Sequence, residues 1–309
     1  MQINKPEFWD NKKPNFISKI LYFFSYPVIF FSRLNHSKIK IKEIKTICVG
    51  NIYLGGTGKT PTSIAIYDIL KNLGYRTVFI KKFYKNQYDE QKILKKRGSL
   101  ICNKTRLNAI RLAKSNKFDF AICDDGLQDQ NIDYDLKIVC FNFDTFVGNG
   151  LVIPAGPLRE RIEQINKYDV AIINGNGENI SSLKKYLLKF NKNLKVFKGN
   201  YVLNQDIRIF KNKKFIAFSG IGNHKTFLKT LKKNKIKVSK NIKFPDHYKY
   251  RNEDIFKIKE MAKKYNYKLI TTEKDFLRMS KTNKKGINFL KINIKINDSV
   301  SFSKIFKKI

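Results

Sequence analysis

Short apolar runs alternate with amphipathic segments along most of this chain after residue 45. The apolar runs predict strands at TICVGN, TVFI, FDFAICDDG, LKIVCF, DVAIIN, KFIAFSGIG, KLITTEKD and INFLKINIKI. Helical spacing predicts helices at residues 60–73 and in TRLNAIRLAK, HKTFLKTLKK and NEDIFKIKEMAKKY. Strands that alternate with helices favour a mostly parallel, doubly wound α/β sheet.

The segment before the first strand has a different pattern. Its apolar stretch, residues 21–31, is shorter than the about 20 residues that a membrane span requires. It is rich in Phe and Tyr and has basic residues on both sides, which predicts a helix lying in a membrane interface. The alternative is a helix that packs into the core.

A glycine-rich stretch, VGNIYLGGTGKTP, follows the first predicted strand. The strict phosphate-loop pattern GxxxxGK[ST] would place glycine where this chain has Tyr53. The remaining glycines still allow backbone N–H groups to face phosphate oxygens, and a helix N-terminus follows. The stretch therefore predicts a P-loop site for ATP and Mg²⁺ formed by Gly55, Gly56, Thr57, Gly58, Lys59 and Thr60.

Two carboxylates, Asp124 and Asp125, end the apolar strand FDFAICDDG. A carboxylate in that position can hold Mg²⁺ directly or through water, whereas an acidic pair at a strand end is often only a turn. The upstream loop favours the metal role, with Thr60 as a further ligand. We predict an interfacial helix region at residues 1–45, a P-loop domain at 46–200 and a smaller α/β domain at 201–309.

The formal net charge of +38 indicates an anionic partner. Only ten of the 63 basic residues are Arg, and the abundance of Lys, Asn and Ile also fits codon bias in an AT-rich genome, so the function of the lysine excess stays open. With few Arg and no recognisable recognition module, we expect no nucleic-acid partner. Four isolated Cys predict reduced, buried thiols and no zinc site.

Six motifs occur in order between residues 50 and 275: GNIYLGGTGKTP, DDGLQ, LVIPAGPLRE, SGIGN, FPDHYKY and TTEKD. Together they resemble the tetraacyldisaccharide 4′-kinase family of lipid A biosynthesis. The resemblance implies transfer of the ATP γ-phosphoryl group to the 4′-hydroxyl of a tetraacyl glucosamine disaccharide 1-phosphate, giving lipid IVA. It also implies two α/β domains that close over ATP, and a peripheral or monotopic place on the anionic cytoplasmic face of the bacterial inner membrane.

The resemblance carries catalytic roles onto particular residues. The family's GDE and PDH segments match Asp89-Glu90 and His247 here. By resemblance, Asp89 and His247 form a catalytic pair acting on the sugar hydroxyl, Glu90 has a metal role, and Lys59 and Asp125 also serve catalysis. Predicted domains place one member of the pair in each. The alternatives are a solvated loop acid at 89 and a turn residue at 247.

Substrate contacts are predicted for Arg159 and Tyr84. Arg159, in GPLRE, could meet a phosphate, or form a salt bridge within the domain. Tyr84 is what remains of the family's SRGYG, which reads KKFYK here, and Asp129 stands where the family has His. In TTEKD, either Lys274 faces the nucleotide or Glu273 caps a helix.

Two other functions compete with a lipid kinase. A soluble P-loop ATPase of the partitioning or carrier type can have a similar loop, but it would not need the aromatic N-terminus. A basic nucleic-acid-binding protein would explain the charge, but not the loop. Turnover of ATP that depends on the lipid disaccharide separates the first hypothesis from both.

Overall fold

The computed structural model describes residues 5–33, 37–83, 88–177 and 179–309. They divide into two compact units. Within the described ranges, the larger unit contains residues 5–83, 94–200 and 294–309, and the smaller unit contains residues 88–93 and 201–293. The predicted domain boundaries stay predictions, and residues 88–93 group with the smaller unit although the prediction assigned them to 46–200.

An eight-stranded sheet carries most of the larger unit. Its strands are β1 (Lys45–Gly50), β2 (Thr77–Lys82), β3 (Leu100–Asn103), β4 (Phe120–Asp124), β5 (Leu136–Asn142), β6 (Val170–Asn174), β7 (Lys195–Leu203) and β12 (Ile292–Ile296). They are ordered β12-β7-β6-β5-β1-β4-β2-β3, and the pairings from β7 to β3 are parallel. Since β1 and β4 are parallel neighbours, the chain leaves both at the same sheet edge.

The larger unit also contains helices. They are α1 (Phe16–Leu21), α2 (Tyr26–Arg33), α3 (Lys59–Asn72), α5 (Arg106–Ser115), α6 (Ser181–Leu188) and α11 (Ser299–Phe306), while α4 (Tyr88–Arg97) carries the chain from the smaller unit into the larger one. Helix α5 begins after Thr105, whose hydroxyl accepts a bond from the N–H of Asn108, as a side-chain N-cap does. Its apolar residues Ala109, Ile110 and Ala113 recur at helical spacing and are buried.

The core of the larger unit consists of two clusters of buried side chains. One cluster contains Cys48, Ile80 and Cys123 together with the apolar face of α5. A second contains Phe141 and Ile173 with the segment around Leu158. All four cysteines are free, and burial raises the pKa of Cys123 and Cys140 to about 12, so these two thiols stay protonated at neutral pH.

The smaller unit is built on a four-stranded parallel sheet ordered β11-β10-β8-β9. Its elements are β8 (Lys214–Ser219), α7 (His224–Lys233), β9 (Lys237–Lys243), α8 (Asn252–Lys264), β10 (Lys268–Thr272), α9 (Glu273–Arg278), α10 (Lys281–Lys284) and β11 (Ile287–Leu290). Consecutive residues of β8 lie on opposite faces of the sheet: Phe215 packs with α7, and Ile216 packs with α8. Helices therefore cover both faces, and the predicted α/β class with mostly parallel sheets is confirmed.

The N-terminal segment forms two short helices joined by a 3₁₀ turn, Tyr22–Ser25, in place of one helix. Its contacts with the rest of the larger unit include the hydroxyl of Ser25, which donates to the carbonyl of Val152 at 2.9 Å, and the buried side chain of Ile29. Most of its large apolar side chains remain exposed, among them Phe16, Phe23, Phe24, Phe30 and Phe31. Within the described ranges, none of the helices has the length and apolarity to cross a bilayer.

Candidate active site

The glycine-rich loop connects β1 to α3 in the larger unit, as the sequence predicts. Gly58 has φ +84° and Gly55 has φ +149°, both in the region that favours glycine. Helix α3 starts at Lys59, and its ladder begins where the N–H of Thr62 donates to the carbonyl of Gly58 at 3.0 Å. Its first N–H groups therefore have no partner within the helix and can face an anion.

Two asparagines fix the direction of the loop carbonyls. Asn51 donates its amide to the carbonyls of Tyr53 and Gly55, and Asn174 donates to the carbonyl of Thr57 at 2.9 Å. These carbonyls are thus tied to the protein, which suits a loop whose opposite side would meet phosphate oxygens. Thr57 is 1% exposed, and its hydroxyl has no hydrogen-bond partner among the described residues. The loop therefore has the geometry of an anion cradle.

Asp125 gathers two cations beside this loop. Lys59 Nζ lies 3.3 Å from Oδ1 of Asp125, and Arg159 Nη1 lies 3.2 Å from the same oxygen. Lys59 also donates to Oδ1 of Asn51 at 3.0 Å, and Arg159 donates to Oε1 of Gln128 at 3.1 Å. Asp125 has φ +60°, a strained conformation for a non-glycine residue that often marks a functional position.

The other member of the acidic pair, Asp124, is fully buried. Its carboxylate accepts hydrogen bonds from the hydroxyls of Thr60 at 3.3 Å and Ser63 at 3.1 Å, and from Nζ of Lys81 at 2.8 Å. Lys81, on β2, is 1% exposed, so this is a buried ion pair. Asp124 therefore already has a protein cation beside it.

Asp129, which stands where the family has His, pairs with Arg106. Arg106 opens α5, and its Nη1 donates to Oδ2 of Asp129 at 3.2 Å. The same guanidinium donates to the carbonyl of Asp125. Asp129 thus helps to hold the turn that carries Asp125. Glu160, next to Arg159, accepts a hydrogen bond from the hydroxyl of Tyr168. Burial raises the pKa of Glu160.

In the smaller unit, Arg278 joins Asp89 and His247. Its Nε and Nη2 donate to Oδ2 of Asp89 at 3.0 and 2.8 Å, and Nη2 lies 3.3 Å from Nδ1 of His247. The side chain of Asp89 is 2% exposed, so it is not a solvated loop acid. His247 has φ +57°, and its N–H donates to the carbonyl of Gly220 at 3.1 Å. Both members of the predicted pair therefore lie in one unit, whereas the predicted domains separate them.

The polar residues of TTEKD also have defined partners in the smaller unit. Lys274 Nζ lies 2.6 Å from Oε1 of Glu90, so these two residues form an ion pair in the smaller unit. Thr272, and not Glu273, caps α9, because its hydroxyl accepts a bond from the N–H of Asp275. Asp275 is fully buried, and burial raises its pKa although Arg278 lies 3.1 Å away.

The structure thus groups the predicted site residues into two sets. Gly55–Thr60, Asp124, Asp125 and Arg159 lie together in the larger unit, and Asp89, Glu90 and His247 lie in the smaller unit. Tyr84 lies outside the described residues. The described residues contain no cluster of three or more His, Cys, Asp or Glu side chains that could hold a metal ion. A metal near Asp124 would therefore need the Thr60 hydroxyl and water as additional ligands.

Several residues of these networks were missed by the sequence reasoning. Lys81 offered a signal, because it ends an apolar strand, but lysine is common in this chain. Arg278 offered a clearer one, since it is one of only ten arginines and follows TTEKD by three positions. Asn51 and Asn174 each end or follow a strand at the loop, and no spacing rule links them.

Comparisons with known proteins agree with one another. A family model described as tetraacyldisaccharide-1-P 4′-kinase (LpxK) matches residues 18–309. The tetraacyldisaccharide 4′-kinase of Pelagibacter ubique (strain HTCC1062) is 47% identical over 300 residues, covering 96% of this chain and 95% of that protein. The enzyme of the same name from Rickettsia bellii (strain OSU 85-389) is 33% identical over 323 residues, covering 98% of each. The crystal structure of LpxK from Aquifex aeolicus in complex with ATP superimposes with a TM-score of 0.66 at 22% identity, over 94% of this chain and 95% of that one, which supports the fold.

Proposed function

This chain belongs to the tetraacyldisaccharide-1-P 4′-kinase family, and from that premise we propose how its residues carry out the reaction. It is an ATP-dependent kinase of lipid A biosynthesis that phosphorylates the 4′-hydroxyl of the tetraacyl glucosamine disaccharide 1-phosphate. The single observation that supports our assignment of roles is the loop of residues 55–60 beside Asp124 and Asp125. The strands before them are neighbours, and Val49 pairs with Asp124.

The loop and Lys59 hold the triphosphate in this proposal. Backbone N–H groups of residues 55–60 bind phosphate oxygens, and the Lys59 ammonium neutralises the charge that develops on the transferred group. Because Lys59 already lies against Asn51 and Asp125, its ammonium is oriented before ATP binds. Preorientation of this kind lowers the reorganisation that accompanies binding.

The larger unit also fits Mg²⁺ as a partner of ATP. Thr60 and Asp124 offer a hydroxyl and a carboxylate 3.3 Å apart, and Asp125 follows in the chain. Magnesium prefers oxygen ligands and keeps several waters, so few protein ligands suffice. Bound there, Mg²⁺ would neutralise phosphate charge during transfer. Glu90, which pairs with Lys274, stays a further candidate ligand.

We assign the sugar hydroxyl to Asp89 and His247. A phosphoryl acceptor must lose a proton, and a carboxylate near an imidazole can receive or relay it at neutral pH. Asp89 is held by two hydrogen bonds from Arg278, so its position is defined. Its burial and its ion pair argue against a role limited to solvation.

For the lipid substrate, Arg159 and Tyr84 are the proposed contacts. Arg159 is 26% exposed at its side chain and bonded to Asp125 and Gln128, so one face of its guanidinium is anchored. An anchored guanidinium suits a phosphate oxygen of the lipid or the nucleotide. The intradomain salt bridge considered for Arg159 is present, and it is compatible with this role.

We propose that the N-terminal helices α1 and α2 bind the membrane surface. Phe23 and Phe24 are 74% and 66% exposed, and Phe30 and Phe31 are 63% and 64% exposed. Exposed aromatic residues next to lysines favour the interface of an anionic bilayer. A place on the cytoplasmic face of the inner membrane would bring ATP and a membrane-embedded lipid to one enzyme.

A radiolabelled-ATP assay with the purified disaccharide 1-phosphate tests these roles. We expect phosphate transfer that requires the lipid, and a loss of kcat of about 10²- to 10⁴-fold in Asp89→Asn and His247→Ala, the usual range for acid–base groups. Lys114→Ala, at an exposed ion pair of the larger unit, is the control. ATP consumption independent of the lipid would favour a soluble P-loop ATPase, and full activity of both variants would remove the proposed pair.

Sedimentation with vesicles tests the membrane proposal. Burying one Phe side chain contributes roughly 1.5–3 kcal/mol, so Phe23→Ser combined with Phe24→Ser should weaken partitioning by about 100-fold or more. Phe256→Ser, at a residue 65% exposed on α8 of the other unit, is the matched control. Equal partitioning of the double variant and the control would contradict the proposal.

A further inference from the structure

One arginine of the smaller unit contacts both residues assigned to the sugar hydroxyl. Arg278, the last residue of α9, donates two hydrogen bonds to Oδ2 of Asp89 and lies 3.3 Å from Nδ1 of His247. Its side chain is 10% exposed, so the guanidinium is mostly enclosed. Asp89 and His247 are therefore both bonded to one arginine, to which no role has yet been assigned.

The other side of this guanidinium is anchored. Its Nη1 donates to the carbonyl of Gly220 at 2.7 Å and to Oδ1 of Asp275 at 3.1 Å. Asp275 is itself fixed by the hydroxyls of Thr272 and Tyr250, at 2.6 and 3.0 Å, and by the N–H of Gly220 at 3.0 Å. The motifs SGIGN, FPDHYKY and TTEKD therefore meet at Arg278.

The hydrogen bond to His247 has a defined direction. A guanidinium donates and does not accept, and it stays protonated in proteins. Nδ1 of His247 must then accept, so a neutral ring carries its proton on Nε2. Both bonds to Asp89 end on Oδ2, so Oδ1 is left out of this interaction.

We propose that Arg278 is the positioning residue of this pair: it fixes Asp89 through Oδ2 and, by donating to Nδ1 of His247, holds the ring in its Nε2–H tautomer. The inference rests on the proposed roles of Asp89 and His247. It gives the pair a fixed polarity, with Oδ1 of Asp89 as an acceptor and Nε2–H of His247 as a donor. A sugar hydroxyl has one proton to give and lone pairs to receive, so it matches this arrangement.

A merely structural ion pair predicts something different. Arg278 would then only neutralise the two buried carboxylates of Asp89 and Asp275. Its removal would lower stability, but folded enzyme would keep its kcat and the tautomer of His247. Stability alone therefore cannot separate the two explanations, and the test needs the imidazole and the turnover number.

The experiment compares Arg278→Ala and Arg278→Lys with Arg208→Ala, whose native side chain is 80% exposed in the same unit. In Arg278→Ala we expect kcat to fall by about 100-fold, the cost of a misplaced catalytic group, and KM for ATP to stay within about twofold. Arg278→Lys should fall between, because one ammonium cannot replace a planar fork. Ethylguanidinium should restore part of the activity of Arg278→Ala.

Nitrogen-15 NMR of the histidine rings gives the readout that a structural role would not move. Wild-type His247 should show Nε2–H alone, and the Arg278 variants should show a mixture of tautomers. The buried ring of His224, in the same unit, reports whether the fold is kept. If Arg278→Ala does not fold, Arg278→Lys, which keeps the charge, decides by the same two criteria.

The outcomes separate a failure of the roles proposed for Asp89 and His247 from a failure of the positioning role of Arg278. Full activity of Asp89→Asn and His247→Ala would remove the proposed function of the pair, whatever Arg278 does. Loss of activity in those variants, with unchanged kcat and an unchanged His247 tautomer in folded Arg278 variants, would overturn the inference alone. Loss of kcat with a mixed tautomer in the Arg278 variants supports it.

Discussion

The buried pair of Lys81 and Asp124 predicts a large loss of stability when only one partner is removed. Lys81→Met keeps most of the aliphatic stem but leaves the Asp124 carboxylate, which is fully buried, without its cation. Removing one partner of a buried pair costs about 3–5 kcal/mol. For a unit of this size, that lowers Tm by about 6–20 °C.

The position of the only Trp makes the measurement specific to the right unit. Trp9 is buried in the larger unit and donates to the carbonyl of Pro154 at 3.0 Å, so its fluorescence follows the unfolding of that unit. Urea titrations would compare wild type with Lys81→Met and with Lys114→Met. Lys114 is 38% exposed and pairs with Glu43 at 3.2 Å, so that control should cost no more than about 1 kcal/mol.

A double variant shows whether the unpaired charge is the cause. Lys81→Met with Asp124→Asn removes both charges, so the pair should be less destabilised than the sum of the two single variants. Mg·ATP should also stabilise Lys81→Met more than it stabilises wild type, because a divalent ion near Asp124 would supply the missing positive charge. A cost of Lys81→Met within about 1 kcal/mol, or strict additivity in the double variant, would refute the reasoning.

Three further predictions concern single side chains. Lys59→Ala should weaken Mg·ATP binding by about 30-fold, from the roughly 2 kcal/mol of a charged hydrogen bond, and calorimetry measures this. Burial lowers the pKa of His224 and Lys243 adds to this, while Asn241 opposes it; the unfolded chain therefore takes up the proton more readily, and stability is full above pH ~6.5 and lost as pH falls below it. His224→Gln should remove this loss, so amide exchange in α7 at pH 5 should be faster in wild type than in the variant. Gly220→Ala would place a Cβ 2.9 Å from the carbonyl oxygen of Pro245 and should cost about 1–3 kcal/mol in thermal unfolding.

The sequence predicts the loop after β1 and the class of the sheets, but not the order of their strands. The alternation of strands and helices predicts mostly parallel sheets because a crossover between parallel strands usually contains a helix. The pairings from β7 to β3 and those of the four-stranded sheet are parallel. The glycines before Lys59 predict the loop because few other sequences adopt that backbone path. The loop braces at Asn51 and Asn174 are separated by more than a hundred positions, and a single sequence holds no signal that brings them together.

Asp89 shows why a motif alone does not predict which unit of the structure a residue joins. Its neighbours along the chain lie between two strands of the large sheet, so a boundary drawn where the second series of strands and helices starts assigns it to the larger domain. The structure crosses between units inside helix α4, and a helix that spans two units has the same periodicity as any other. Within the smaller unit, Oδ2 of Asp89 accepts two hydrogen bonds from Arg278, a residue far along the chain. A buried carboxylate requires a cation, so the burial of Asp89 depends on Arg278, and the order of strands and helices along the chain gives no signal of that pairing.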